Sequence, residues 1–509
     1  KTDPQLEYET SLKLTQKQDP TFRRTFPLRY KTIAQRNSLL YEPLVTPNQD
    51  VTSVMVVFPN RYMANPASMF GHLFIILKSK HGLMDSDILH YLADTAGTSQ
   101  SSYIFNGLTG KFKGWFLRDP YYKKIKDYNY VEDRSTTYYD LNLSAEQIEN
   151  LQLHAVELKK SCFYYYFLDK NCAFFMGKLL NVILDEDILP KNALIFPSQI
   201  INSLYERSLL TSEYQRKAST KLFNESFNHL SQTEQSEVVN LIIYDVDVPT
   251  SNPKVLRTFL YTSEHLINTR TDLAQIIRHN RILAYTILSQ QKDTSVRAIA
   301  LKQNTVSPIN SRGFTVGYGF SNQTFLTYNP IYYGEYDSFG DLEVKKLNCL
   351  ASRFIINPNQ PPLFELTLGD ISNISQSNIV INTYSWKLNS SLAYQKSFLT
   401  NQSIELGRTY PYSDQGIAVG FLGLNFANYD YLTERAMATL KLTPSVSLGL
   451  DQILIPDTLT TNIAYEYRFN HPYLTVKFTL KALNFFHQLA YVQSKDFEGV
   501  KFSISSIFN

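Results

Sequence analysis

The stretch "LTVKFTLK" (474–481) decides the fold of the C-terminal two-fifths of this chain. Leu474, Val476, Phe478 and Leu480 fall on one face of a strand, and Thr475, Lys477, Thr479 and Lys481 fall on the other. "GFTVGYGF" (313–320) sets Phe314, Val316, Tyr318 and Phe320 against small residues, and "GVKFSIS" (499–505) repeats the alternation. From about residue 310 onward there are roughly a dozen such segments, parted by turn signals such as "NPNQPP" and "NHPY". A strand with one continuous apolar face fits either a soluble sandwich, with that face inside, or an outer-membrane barrel, with that face in lipid.

The strand number, the 35 Tyr and 32 Phe, and the lack of long apolar runs favour an antiparallel outer-membrane β-barrel over residues 309–509. Phe508, next to last, echoes the aromatic ending of bacterial barrels, although Asn509 follows it. No apolar run approaches the ~18 residues that a membrane-spanning helix needs. No signal peptide is visible, and the first residue is a lysine rather than a methionine, as in a processed mature chain or a trimmed one, so export stays open. At 58.6 kDa, roughly three domains are expected. A net charge of +3 with 19% charged residues gives no basic stripe, so nucleic acid is not an expected partner.

Upstream, the chain changes character twice more. Residues 1–50 are polar and turn-rich, with a landmark "TFPLRY" at 25–30. From Val51 come strand-like runs, "VTSVMVVF", "GHLFIIL" and "SDILHYLA", and then "NGLTGKFKGWF" (106–116), whose glycines Gly107, Gly110 and Gly114 suggest tight turns. A helix starts at "LSAEQ", with Ser144 as N-cap and Gln147 completing a capping box. From 190 to 308 the pattern is mostly helical. The expected class is therefore α+β, with boundaries at 1–50, 51–189, 190–308 and 309–509.

One of the three cysteines stands out. In "LDKNCAFFMGKL" (168–179), Cys172 opens an apolar helix. Unpaired cysteine is more often an inert core residue, but a helix N-terminus also stabilises a thiolate. Three cysteines make no disulfide framework; a Cys162–Cys172 pair would consume the candidate nucleophile. A nucleophile needs a base, and His72 and His90 both lie in strand-like runs, where they can sit side by side facing the Cys172 helix. His81 and His154 are the other histidines in range. A site built from His72, His81, His90 and Cys172 matches no usual zinc spacing, so neither metal nor cofactor is expected.

"NPASMFGHLFII" (65–76), "NGLTGKFKGWF", "YYKKIKDYNYVEDR" (121–134) and "YYFLDKNCAFF" (165–175) occur in the order and spacing of the bacterial family that includes Lnb, a lipoprotein N-acyltransferase. "TFPLRY" and the alternating C-terminal region resemble its long proteobacterial branch. The resemblance implies a circularly permuted papain-like domain over 51–189 with a helical extension, followed by the barrel. It makes His72 the base and Cys172 the nucleophile, with His90 where the family usually has a polar residue that orients the base. Asn171 and the Cys172 and Ala173 backbone N–H groups become candidates for holding an oxyanion. Glu132 and Arg134 match the family's charged pair, either binding a head group or fixing a loop over the site.

The expected function is a cell-envelope thiol enzyme, moving or hydrolysing acyl groups on lipid or lipoprotein substrates. Its localisation is the outer membrane, with the catalytic domain in the periplasm by resemblance. Two rivals remain: a cell-wall peptidase or amidase with the same residues, and a non-enzymatic pore or assembly component. The thiol reading also carries the expectation that the Cys172 pKa falls below that of a free thiol because of His72. Nothing in the sequence bears on oligomeric state.

Overall fold

The computed structural model describes residues 3–65, 68–159, 161–191, 194–246, 250–291, 302–304, 309, 312–319, 323–333, 344–358, 360–413, 415–430, 435–455, 458–468, 471–482, 485–494 and 497–508. Phe320, Asn509 and the Pro66–Ala67 pair named above lie outside this set. The chain divides into two compact units, one holding residues 1–223 with 230–308 and the other 224–229 with 309–509.

The turn-rich reading of residues 1–50 is corrected, because the segment forms three helices: α1 (Pro4–Gln16), α2 (Pro20–Thr25) and α3 (Pro27–Arg36). Each begins with proline at its first turn, where a missing N–H costs nothing. Asp3 and Asp19 cap the first two through their carboxylates. What looked like turn punctuation is helix initiation.

The first unit is built on an eight-stranded antiparallel sheet. Its strands are β1 (Val51–Pro59), β2 (Phe74–Ser79), β3 (Gly82–Asp94), β4 (Phe112–Pro120), β5 (Thr136–Leu141), β6 (Cys162–Tyr165), β7 (Leu210–Arg216) and β8 (Lys302–Asn304). Their order is β6-β4-β3-β2-β1-β5-β7-β8. The sheet therefore runs past residue 189 and draws β7 and β8 from the stretch read as a helical extension. β1 lies inside the sheet, covered on both faces, which explains its unbroken "VMVVF".

Between β3 and β4 the glycine-rich stretch is not a set of turns. Gln100–Thr109 is a helix, α4, closed by Gly110 in the left-handed conformation (φ 70°). A Cβ on Gly107 would meet the Phe167 ring at 2.2 Å, and one on Gly114 would meet Tyr91 at 2.4 Å, so these glycines make room for aromatic rings.

Two layers cover this sheet. On one face Met55, Val57, Phe74, Ile76 and Ile88 pack beneath Tyr121, Ile125 and Tyr128. These last residues belong to α5 (Tyr121–Lys126) and the π-helical turn Asp127–Val131. Against the other face lies α7 (Cys172–Leu184), whose Phe175 ring sits 4.1 Å from that of Tyr91. Beside it runs α6 (Ala145–Leu158), with the expected Ser144–Gln147 capping box. Lys31 of α3 bonds to Glu149 and Asn150 on α6, which ties the N-terminal helices to this layer. Five further helices, α8 (Pro197–Glu206), α9 (Ser219–Asn228), α10 (Gln232–Ile243), α11 (Pro253–Thr269) and α12 (Ala274–Gln290), account for most of the segment between β7 and β8 and the stretch before β7.

The second unit is a closed antiparallel barrel of 12 strands. Two of its strands are long and kinked: Gln323–Asn329 continues as Ile331–Tyr333, and Val344–Cys349 continues as Ala351–Asn357. The rest is an up-and-down meander, and the seam pairs Arg312–Gly319 with Phe497–Phe508. Leu448, Leu422, Leu424, Ile404, Phe478 and Phe502 are among many apolar side chains pointing outward and exposed around the wall. Such an apolar exterior fits hydrocarbon, and closure leaves no unpaired strand edge there. The sandwich alternative is thereby excluded, since its apolar face would be inside.

The lumen holds a cavity of about 470 Å3 lined by Lys346, Arg353, Lys387 and Lys501 together with Glu365, Asp370, Glu405 and Glu466. Lys346 pairs with Asp370, Arg353 with Glu365 at 3.8 Å, and Lys387 with Glu405 at 3.6 Å.

Leu448→Arg on the lipid face should destabilise the barrel by about 2–4 kcal/mol. An arginine at the lumen-facing Gln488 should be tolerated. Unheated gel mobility of the folded barrel checks this: only the Leu448 variant should lose the compact band.

Candidate active site

Cys172 is the first residue of α7 and is 4% exposed. Asn171 caps the helix, its Oδ1 accepting from the N–H groups of Ala173 (3.0 Å) and Phe174 (3.2 Å). Its Nδ2 donates to the carbonyls of Phe167 and Ile195. All of its polar atoms are thus used to fix the helix start, so Asn171 shapes the site through the backbone. The Leu73 N–H, the Tyr165 hydroxyl and the Ala173 N–H all point at the thiol. The Tyr165 hydroxyl also meets the Cys172 backbone N–H.

His72 directly precedes Leu73. Its ring lies 6.2 Å from that of Tyr128 and 6.3 Å from that of Phe74, and its Nε2 is buried without a hydrogen-bond partner among the described residues. His90 sits on β3, where its Nε2 bonds to Asp119 Oδ2 at 2.8 Å while Nδ1 is buried without such a partner. Strand alternation puts His90 on the face opposite Tyr91, with Ile88 and under α5. The expectation that both histidines face the Cys172 helix is therefore corrected. They share the α5-covered side, and the thiol meets the His72 segment at the end of the sheet, through the Leu73 N–H.

Electrostatics follow from burial. Desolvation pushes the Cys172 thiol above its ordinary value, partly offset by the Leu73 N–H, the Tyr165 hydroxyl, the Ala173 N–H and the positive charge of Arg134. Desolvation, aided by Arg134, His90 and Lys124, holds His72 well below the usual imidazole range. Burial also lowers His90, against the pull of Asp119. Burial thus works against the expected depressed thiol pKa, because a dry site disfavours thiolate and imidazolium alike.

Arg134 is 1% exposed. It donates to the Asn60 carbonyl, to the Pro59 carbonyl at 3.0 Å and to Glu132 at 2.7 Å, and its guanidinium stacks 5.2 Å from the Tyr128 ring. So enclosed, it holds the end of β1 to the π-helical turn, and of the two roles open to the Glu132–Arg134 pair the geometry fits the loop-fixing one. The cysteines are free: Cys162 is exposed on β6 and Cys172 is buried. No group of three or more potential metal ligands occurs among the described residues.

Tyr165, Tyr128 and Asp119 escaped the sequence reading. Tyr165 stands inside the quoted "YYFLDKNC", yet nothing there tells which of three successive tyrosines turns toward the thiol. Asp119 reaches His90 only because the β3–β4 register sets Leu117 opposite His90 and Asp119 opposite Ile88.

Taken together, a folded α/β domain and a closed, lipid-faced barrel on one chain define an outer-membrane protein with a large extramembrane domain. Residues 41–207 match the family described as the Lnb N-terminal periplasmic domain, so the α/β unit is of that type and its compartment is the periplasm. No curated protein matches the chain. Among solved structures, the KdgM porin is 12% identical with a TM-score of 0.27, covering 39% of this chain and 99% of its own. The NanC porin is 7% identical (TM-score 0.26; 39% and 100% covered), and a bacterial polysaccharide outer-membrane secretin is 8% identical (0.25; 40% and 100%). The barrel assignment itself stands on strand pairing and outward apolar residues.

Two outcomes are expected. Site-resolved iodoacetamide labelling should find Cys172 slower than exposed Cys162 at pH 7, and Tyr165→Phe should move the Cys172 curve to still higher pH, since the lost hydroxyl stabilises thiolate. Arg134→Met should cost the α/β unit about 3–5 kcal/mol, the usual penalty for breaking a buried ion pair, seen as an earlier tyrosine near-ultraviolet transition.

Proposed function

We propose that the periplasmic unit is a thiol acyl-transfer enzyme acting on membrane lipid and lipoprotein substrates, with the barrel as its anchor. One observation carries this reading: a buried thiol at a helix N-terminus touches the N–H of Leu73, and the adjacent residue is a histidine with a buried, unpartnered Nε2. A neutral imidazole is a competent base, and a low pKa keeps it neutral well below pH 6.5.

In this scheme His72 takes the Cys172 proton as sulfur attacks an ester carbonyl. The alcohol leaves with that proton, and an acyl-cysteine remains. An amine then attacks the thioester to give an amide, with His72 accepting its proton and the thiol restored. Water in place of the amine gives hydrolysis. The Leu73, Cys172 and Ala173 N–H groups surround the sulfur, and the two not held by the Asn171 cap are the oxyanion donors, that of Cys172 once Tyr165 gives way. Such a donor is typically worth ~3 kcal/mol of barrier. His90, fixed by Asp119, sits within electrostatic reach of His72 and resists its protonation.

A cavity of about 490 Å3 favours an acyl chain over a peptide. Leu89, Phe116, Leu158 and Leu179 line it, with Arg118 and Lys159 among its few charged residues. Leu179 lies seven residues down α7 from Cys172, about 10 Å along the axis, a distance suited to an extended chain. The pore reading is disfavoured by the lumen, where four cations meet four anions and no single sign selects a cargo.

The test is intact-mass spectrometry after incubation with phospholipid in detergent. A phospholipid-derived acyl adduct should appear on Cys172. It should be absent in Cys172→Ala, and its formation should fall about 1000-fold or more in His72→Ala. A folded protein that never carries the adduct with phospholipid, but reacts with cell-wall peptides, would favour the peptidase reading.

A further inference from the structure

The net charge of the chain conceals a local concentration. Between residues 111 and 126 stand Lys111, Lys113, Arg118, Lys123, Lys124 and Lys126, against the single carboxylate of Asp119. Asp87, Asp127 and Glu264 pair with Arg118, Lys124 and Lys126, so the cations that matter on this surface are Lys111 and Lys113. Around the first of these cations the α/β unit exposes a run of large apolar side chains. On α4 these are Ile104, Phe105 (55% exposed) and Leu108 (51%), one turn apart on one side of the helix. On β4, Trp115 (37%) and Leu117 (42%) share a face with Lys113. β6 lies at the sheet edge beside them, with Lys113 opposite Tyr164 (63%) and Trp115 opposite Cys162. Lys111 joins the two elements, its Nζ 4.8 Å from the centre of the Phe105 ring. One carboxylate, Asp94, interrupts the surface opposite Lys113.

We propose that this surface docks on an anionic phospholipid leaflet. The chemistry is that of an interfacial binder: Trp and Tyr rings settle at the head-group level, and lysines carry apolar stems with a charge that reaches the phosphates. Solvent-facing strands seldom carry such side chains together, and exposed apolar side chains with lysines among them mark an interaction site, here linked by the Lys111–Phe105 contact. Charge complementarity selects the occupant, because a purely apolar protein partner gains nothing from Lys111 and Lys113, whereas an anionic surface does. The barrel on the same chain keeps a bilayer at high effective concentration, so weak docking suffices. The proposal is independent of the thiol chemistry: it needs the barrel and this surface, and its test involves no turnover.

The chain has two tryptophans, Trp115 on this surface and Trp386 on barrel strand Ser385–Tyr394. Trp386 shares the outward face of the strand with Leu388 and so reports insertion. The full-length protein is reconstituted into vesicles of phosphatidylcholine, with or without phosphatidylglycerol, bearing bromine on the acyl chains. Trp386→Phe isolates Trp115, and Trp115→Phe isolates Trp386 as the insertion control. Trp115 emission should shift to the blue and be quenched about twofold more with phosphatidylglycerol than without it. The double variant Lys111→Glu, Lys113→Glu should remove the difference while leaving Trp386 quenching unchanged. If Trp386 is quenched but Trp115 stays unquenched in both lipids, the surface meets water or awaits a protein, and the proposal is overturned. Equal quenching in the two lipids overturns it as well, because anionic recognition is then absent.

Discussion

One buried cation organises the periplasmic unit. Arg134 enters a space with almost no water, so its charge has to be met by groups placed for it: the carboxylate of Glu132, the carbonyls of Pro59 and Asn60, and the face of Tyr128. That requirement fixes where β1 ends and where the π-helical turn lies. Between them stand His72 and the thiol, and the same charge resists protonation of the one and eases ionisation of the other. A structural ion pair therefore biases the ionisation of both groups, after burial itself.

The barrel was legible because its rule is local. Alternation at Leu474, Val476, Phe478 and Leu480 survives any register, and lipid on one side enforces it on every strand. The Cys172 helix was legible for a similar reason, as Asn171 and an apolar run mark its start. What could not be read depends on pairs distant in the chain. The ring of Phe167 meets Gly107 only once the chain has folded back on α4, and Asp119 finds His90 only through the β3–β4 register. The turn-rich reading of residues 1–50 failed for another reason, since the aspartate–proline dipeptides at 3–4 and 19–20 suit a helix start as well as a turn. The sheet's extension to β7 and β8 was hidden behind the helical sequence between them.

The thiol shows how burial can reverse an inference from position. A helix N-terminus lowers a cysteine pKa when solvent is near, as does a cationic neighbour. Here both are present, and desolvation outweighs them. An idle neutral thiol also has a chemical logic in the periplasm, an oxidising compartment, because the thiolate is the form that oxidants and disulfides attack.

The seam of the barrel bears on the order in which the protein assembles. Thr315 and Ser505 meet across it, 2.9 Å apart in space and 190 residues apart in sequence. No shorter route closes the wall, so every strand between them has to be in place before the first and last can pair. The α/β unit also joins distant segments, as Val56 of β1 pairs with Tyr139 of β5 and Gly114 of β4 with Phe163 of β6. Contacts between distant segments form slowly and local ones quickly. The barrel thus stays an open, aggregation-prone sheet until its seam pairs, and closing that seam is the last step of the wall.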